Sequence, residues 1–176
     1  MDDHQRIFRL ASLFLQYPEK EWQETNELQE EIGLIENTLV KILYKQFHQY
    51  FMSVPYSELC QRYTQTFDFT DKTSLYLTYP IFGDKLTRGA GLVKLKNEYL
   101  EAGYPLITDE LPDYLPLILE FCSLAPLEVV QKMLMIHRKE IEQLLKELSI
   151  ADNPYQMILQ GCVQQIETML SNQKAS

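Results

Sequence analysis

The sequence predicts an all-α protein: a single-domain bundle of roughly eight to ten helices over residues 1–170, with residues 171–176 as a fraying tail. Three observations predict it. Apolar residues recur three and four positions apart through most of the chain, the spacing that gathers them on one face of a helix. Glycine is scarce, 6 in 176 residues, where a turn-dense β-protein needs more. Connections between periodic segments are short, and no repeat, low-complexity stretch or linker divides the chain. With 45% hydrophobic and 23% charged residues, such a chain folds without a disulfide or metal staple.

The elements follow in order. Ile7, Leu10, Ala11 and Phe14 repeat at helical spacing, and Tyr17-Pro18 ends that helix. A second, strongly acidic helix runs through Glu19–Glu31, its early carboxylates near the positive helix end, and Gly33 breaks the pattern. Leu39, Ile42, Leu43, Phe47, Tyr50, Phe51 and Val54 mark a long third helix between Leu34 and Val54. Pro55 opens the next, Tyr56–Thr66, with Leu59, Tyr63 and Phe67 on one side. The stretch 73–79 alternates like a strand, but no pairing partner is evident and a short buried helix is the better reading. Asp84–Ala102 is a clear helix closed by Gly103. It carries two apolar stripes (Leu86, Ala90, Val93, Leu100 and Leu92, Leu95, Tyr99), which predicts burial on more than one side and a central position. Helices at Asp113–Leu124 and through Val130–Leu148 follow, and Asp152-Asn153-Pro154 restarts the last, carrying Ile158, Cys162 and Ile166.

Charge narrows the partners. Sixteen Lys and Arg face 25 Asp and Glu, a net charge of -9, so nucleic acid is excluded and no stable membrane association is expected. Residues 1–31 hold most of the excess. No apolar run spans a bilayer, and the acidic start is unlike a signal peptide, which points to the cytoplasm. The three cysteines, Cys60, Cys122 and Cys162, read as buried or semi-buried thiols in a reducing compartment. The oligomeric state is left open.

Chemistry is sparse. His4, His48 and His137 do not make a metal site; His137 lies on an apolar stripe and reads as a hydrogen-bonded core histidine. The glycines at 83, 89 and 91 fail the phosphate-loop pattern, for Arg88 precedes Gly89 and the lysine is missing. Gly83 reads as a tight turn, and Gly89 and Gly91 as places where helices approach closely. Asp113 reads as an N-cap and Asp68 as a turn residue, unless the carboxylates serve a site. Eight of the eleven tyrosines fall between Tyr50 and Tyr114. Tyrosines with carboxylates at a groove suit an amphipathic peptide carrying basic residues.

The run Tyr63-Thr-Gln-Thr-Phe67-Asp68-Phe69, then Leu75-Tyr76-Leu77-Thr78-Tyr79, Gly83-Asp84 and Arg88-Gly89 closely resembles the nitrate reductase assembly chaperones of the NarJ type. Glu110-Leu111-Pro112-Asp113-Tyr114 and the N-terminal phrase from Leu10 to Pro18 continue the likeness, over roughly residues 7–125. The resemblance implies the helical fold of the wider TorD-like molybdoenzyme chaperones and a protein that is not an enzyme. It implies a partner, the apo catalytic (alpha) subunit of respiratory nitrate reductase, held largely through its N-terminal segment. Molybdenum cofactor insertion would be assisted before membrane docking. No cofactor would be bound permanently, though transient contact with molybdopterin guanine dinucleotide fits the role. The motif residues the resemblance marks are Tyr63, Phe67, Asp68, Leu77, Tyr79, Gly83, Asp84, Arg88, Glu110, Pro112, Asp113 and Tyr114. Three alternatives stay open: a molybdopterin or nucleotide carrier using Lys85, Arg88, Lys94 and Lys96, a chaperone of another related molybdoenzyme, and a structural adaptor that tethers subunits permanently.

Overall fold

The computed structural model describes residues 1–83 and 85–174, with side chains described to residue 171. Among these, nine α-helices form the protein: α1 (Asp3–Phe14), α2 (Glu27–Gly33), α3 (Thr38–Ser53), α4 (Tyr56–Phe67), α5 (Tyr79–Phe82), α6 (Leu86–Glu101), α7 (Leu115–Leu124), α8 (Leu127–Ile150) and α9 (Gln156–Lys174). The all-α architecture matches the expectation. The final helix continues through residues 171–174, where the sequence suggests fraying.

α1 is the hub. Its apolar residues Ile7, Phe8, Leu10, Ala11 and Phe14 are all buried, and it packs against α7 and α9. Ser12, on the same face, donates its hydroxyl to the Pro116 carbonyl at 2.7 Å. α3 and α8 each lie along α9. The α3–α9 contact is close because residue 161 is glycine: a Cβ there would overlap the Tyr44 ring. One aromatic cluster ties α1, α3, α4 and the start of α9 together. Phe14–Phe47 centroids lie 5.1 Å apart, Phe47–Tyr155 5.0 Å, and Tyr63–Phe67 and Phe67–Tyr155 4.9 Å, within the range of favourable ring contacts.

Several expectations are corrected. The acidic helix over 19–31 is two pieces, a 3₁₀ turn at Lys20–Gln23 and α2. α3 starts at Thr38, where the Asn37 side chain accepts the Val40 N–H; a side-chain cap fixes that start better than periodicity does. Leu39 and Ile42 point outward, and Val40 and Tyr44 take the core positions. The short helix expected at 73–79 forms at Tyr79–Phe82, while residues 74–76 are irregular apart from a single bridge at Tyr76 and residues 77–78 turn into the helix.

The largest correction concerns α6. It is peripheral: only Leu95 and Tyr99 are buried, whereas Leu86, Val93 and Leu100 are 95%, 63% and 59% exposed. Among the described residues nothing covers the stripe of Leu86, Val93 and Leu100. Gly89 and Gly91 do not mediate a close helix approach among the described residues, for beyond the helix's own nearby backbone no atom of these lies within 4 Å of a Cβ built on either. Interior glycines cost a helix about 1 kcal/mol each relative to alanine, and no packing among the described residues offsets that.

His137 is buried as expected, but among the described residues its Nε2 has no hydrogen-bond partner, and neither does Nε2 of His48; the expected hydrogen bond is thus corrected. Burial pushes the His137 pKa down, against the pull of Glu140 and Asp113, and burial lowers His48 as well. A histidine depressed in the fold binds its proton more readily when unfolded. Stability is therefore full above the ordinary histidine pKa of about 6.5 and declines as pH falls below it. Urea unfolding between pH 7.5 and 5.5 should show this decline, with a shallower slope in His137→Gln.

Cys122 and Cys162 are buried and Cys60 is half-buried, all as free thiols. Burial pushes Cys162 up to about 12 despite the Tyr44 hydroxyl beside it, so this thiol is not poised to react.

Candidate functional site

The stretch 74–78, rich in Tyr and Leu, carries one bridge residue, Tyr76, and then turns at 77–78 into α5. It meets the segment before α7 in one antiparallel bridge, Tyr76 opposite Tyr114. The Leu77 N–H donates to the Asp113 carbonyl (3.1 Å) and the Leu115 N–H to the Leu75 carbonyl (2.8 Å). This is the pairing partner that the sequence does not reveal. The Tyr76 and Tyr114 rings lie 5.2 Å apart. The Tyr76 hydroxyl donates to Glu110 Oε1 at 2.8 Å, and the same oxygen accepts the Leu111 N–H at 3.0 Å.

Beneath the bridge sits a polar clasp. Asp113 is 0% exposed. Its Oδ2 accepts the Thr78 hydroxyl (2.6 Å), the Thr78 N–H (3.2 Å) and Arg88 Nη2 (3.1 Å). Arg88 Nε donates to Thr78 Oγ1 at 2.9 Å, and its guanidinium lies 5.4 Å from the centre of the Tyr79 ring. The Tyr99 hydroxyl donates to the Pro112 carbonyl at 3.1 Å. A buried carboxylate is tolerated only when paired and hydrogen-bonded, and here the arginine and Thr78 do both. The clasp thereby ties α5 and α6 to the loop that leads into α7.

Beside it opens a cavity of about 420 Å³ between that loop, α6 and α7. Tyr99, Tyr104, Leu106, Tyr114, Phe121 and Leu124 line it, with Glu110 and Glu120 among its polar walls. Burial holds the Tyr99 phenol well above its ordinary pKa, and burial with the Glu110 hydrogen bond does the same for Tyr76. Both stay protonated donors across the physiological range. The chemistry on offer is apolar contact, hydrogen bonding and negative charge.

The structure divides the predicted residues. Leu77, Tyr79, Arg88, Glu110, Pro112, Asp113 and Tyr114 come together at the clasp and cavity. Gly83 takes φ +54° just after α5, the tight turn expected. Tyr63 and Phe67 lie in the aromatic core instead, where the Tyr63 hydroxyl donates to the Leu15 carbonyl at 2.9 Å. Asp68 is an exposed residue closing α4, its N–H bonded to the Thr64 carbonyl at 3.0 Å. Asp113 is not an N-cap; Tyr114 holds that position and Asp113 anchors the clasp. Asp84 lies outside the described residues. Thr78, Tyr99 and Glu120 were missed as site residues. Thr78 carries no signal beyond its β-favouring neighbours, whereas Tyr99 lies on the inner stripe of α6.

The helical bundle thus sets a clasped loop beside an aromatic, carboxylate-bordered cavity. The chain belongs to the nitrate reductase delta subunit family, whose family model matches residues 23–153. It is 34% identical over 173 residues to the probable nitrate reductase molybdenum cofactor assembly chaperone NarJ of Bacillus subtilis, covering 95% of this chain and 91% of that protein. It is 30% identical over 120 residues to the nitrate reductase molybdenum cofactor assembly chaperone NarJ of Escherichia coli, covering 66% of this chain and 51% of that one. The nitrate reductase-like protein NarX of Mycobacterium tuberculosis is 29% identical over 149 residues, but this chain spans only 22% of its length. An assembly chaperone is a non-catalytic role. No helix among the described residues is long and apolar enough to cross a membrane.

Proposed function

We propose that this chain is an assembly chaperone for the catalytic subunit of a nitrate reductase. In this reading it holds the apo subunit through its N-terminal segment while the molybdenum cofactor is inserted, before membrane docking, in the cytoplasm. The observation that carries the reading is the aromatic cavity bordered by Glu110 and Glu120, in a chain whose relatives bear that role in their names. An amphipathic segment that orders on binding must bury apolar surface to offset its lost entropy. Tyr104, Leu106 and Phe121 supply that surface, and the carboxylates steer basic residues toward it.

The cofactor-carrier alternative loses its best donor, because Arg88 is engaged by Asp113 and Thr78. A transient contact with molybdopterin guanine dinucleotide would fall to the exposed lysines of α6, and permanent binding forms no part of the proposal.

Titrating the protein with the N-terminal peptide of the nitrate reductase catalytic subunit tests the reading. Affinity should weaken roughly tenfold between low salt and physiological ionic strength, as screened rim charges require. It should fall further in Glu110→Gln/Glu120→Gln. No binding at low salt, or binding indifferent to truncation of the peptide, would end the proposal.

A further inference from the structure

The loop between α6 and α7 is tied down at both ends and nowhere between. α6 closes in a Schellman turn: the Tyr104 N–H donates to the Tyr99 carbonyl at 2.9 Å and the Gly103 N–H to the Leu100 carbonyl at 3.0 Å, with Gly103 at φ +85°. The Tyr104 hydroxyl adds a bond to the Leu124 carbonyl at 2.9 Å, so this end is fixed to α7 as well. At the other end Glu110 Oε1 accepts the Tyr76 hydroxyl and the Leu111 N–H. For residues 105–109 the described residues offer one hydrogen bond, from the Glu110 N–H to Thr108 Oγ1 at 3.2 Å, and it stays within the loop. Leu106 is half-buried and its neighbours on either side are exposed.

This strap runs along the wall of the cavity. Leu106 and Thr108 line both the cavity of about 420 Å³ and an adjoining one of about 290 Å³, so the strap is a partition between them. Ile107 lines the larger cavity and is 99% exposed, which places it at the mouth. Single exposed aliphatic residues are ordinary on a protein surface. Ile107 differs in its setting, for it stands beside an aromatic cavity on backbone that no ladder or cap holds. Few buried contacts and amides without partners are the marks of a segment that moves at little cost.

We propose that residues 105–109 form a closing strap, which folds over the segment held in the cavity and buries Ile107 against it. The anchors at Tyr104 and Glu110 stay in place, so the movement is confined to the strap and leaves the clasp intact. An amphipathic segment seated in the cavity buries one apolar side and leaves part of it at the mouth in water; Ile107 supplies the contact that covers it. This rests on the reading that the cavity takes the N-terminal segment of the catalytic subunit.

Hydrogen exchange of the whole chain, with and without that N-terminal peptide at low salt, reads the strap directly. In the free protein the amides of residues 106–109 should exchange as fast as those of an unstructured chain, and saturating peptide should slow them about tenfold or more. Ile107→Ser should weaken peptide binding roughly tenfold, the loss of one buried aliphatic contact. Its thermal melt should be unchanged, because the side chain is exposed in the free protein, and Ile107→Leu should keep most of the affinity. Exchange at 106–109 that stays fast in the complex, or Ile107→Ser binding as tightly as the unaltered protein, overturns the strap and leaves the chaperone reading standing. Failure of the unaltered protein to bind the peptide at low salt removes that reading instead, and the strap with it.

Discussion

Asp113→Ala should lower the unfolding free energy by about 3–5 kcal/mol, the range seen when one member of a buried ion pair is removed, and with it the melting temperature by roughly 10 °C. The expectation comes from what is left behind. Arg88 has a side chain only 11% exposed and loses its carboxylate, and Thr78 loses the acceptor for both its hydroxyl and its N–H. The carbonyl of residue 113 still pairs with Leu77, so the β-bridge should weaken and not vanish. Asp113→Ala/Arg88→Ala should recover part of the loss, because removing both charges leaves no unpaired ion. A double-mutant cycle on denaturant unfolding measures this. A loss below about 1 kcal/mol would show that the clasp behaves as a surface pair and does not hold the loop.

Tyr63→Ala should cost a similar amount, about 3–5 kcal/mol, as truncations of buried aromatics do. Its ring sits among Tyr17, Phe67 and Tyr155, and its hydroxyl satisfies the Leu15 carbonyl at the end of α1. Tyr63→Phe keeps the ring and removes only that hydrogen bond, so about 1–2 kcal/mol is expected. Peptide binding should survive Tyr63→Phe unchanged, since the side chain is turned into the core. A motif tyrosine that altered affinity without altering stability would contradict this placement.

The helices with one unbroken apolar stripe were legible in the sequence. α8 and α9 fall where their periodicity puts them, because a long 3.6-residue repeat needs no information from elsewhere in the chain. α6 shows the limit of that logic. Its two stripes are correctly located, but periodicity reports which residues share a face and is silent on whether anything covers them. The clasp was illegible for a different reason. Asp113 lies 25 residues from Arg88 and 35 from Thr78, and a local reading finds only a helix cap. The same distance hides the bridge between Tyr76 and Tyr114, whose strand-like alternation was visible while its partner was not. The aromatic, carboxylate-rich middle did mark the segments that form the clasp and the cavity, because composition survives ignorance of the pairing.

The place of α1 has a consequence for how the protein comes into being. This helix precedes by many residues the surfaces that shelter Ile7, Phe8 and Leu10, which belong to α7 and α9. Contacts this remote slow folding relative to helical proteins built from neighbours. During synthesis the apolar face of α1 stays uncovered until α7 and α9 have emerged.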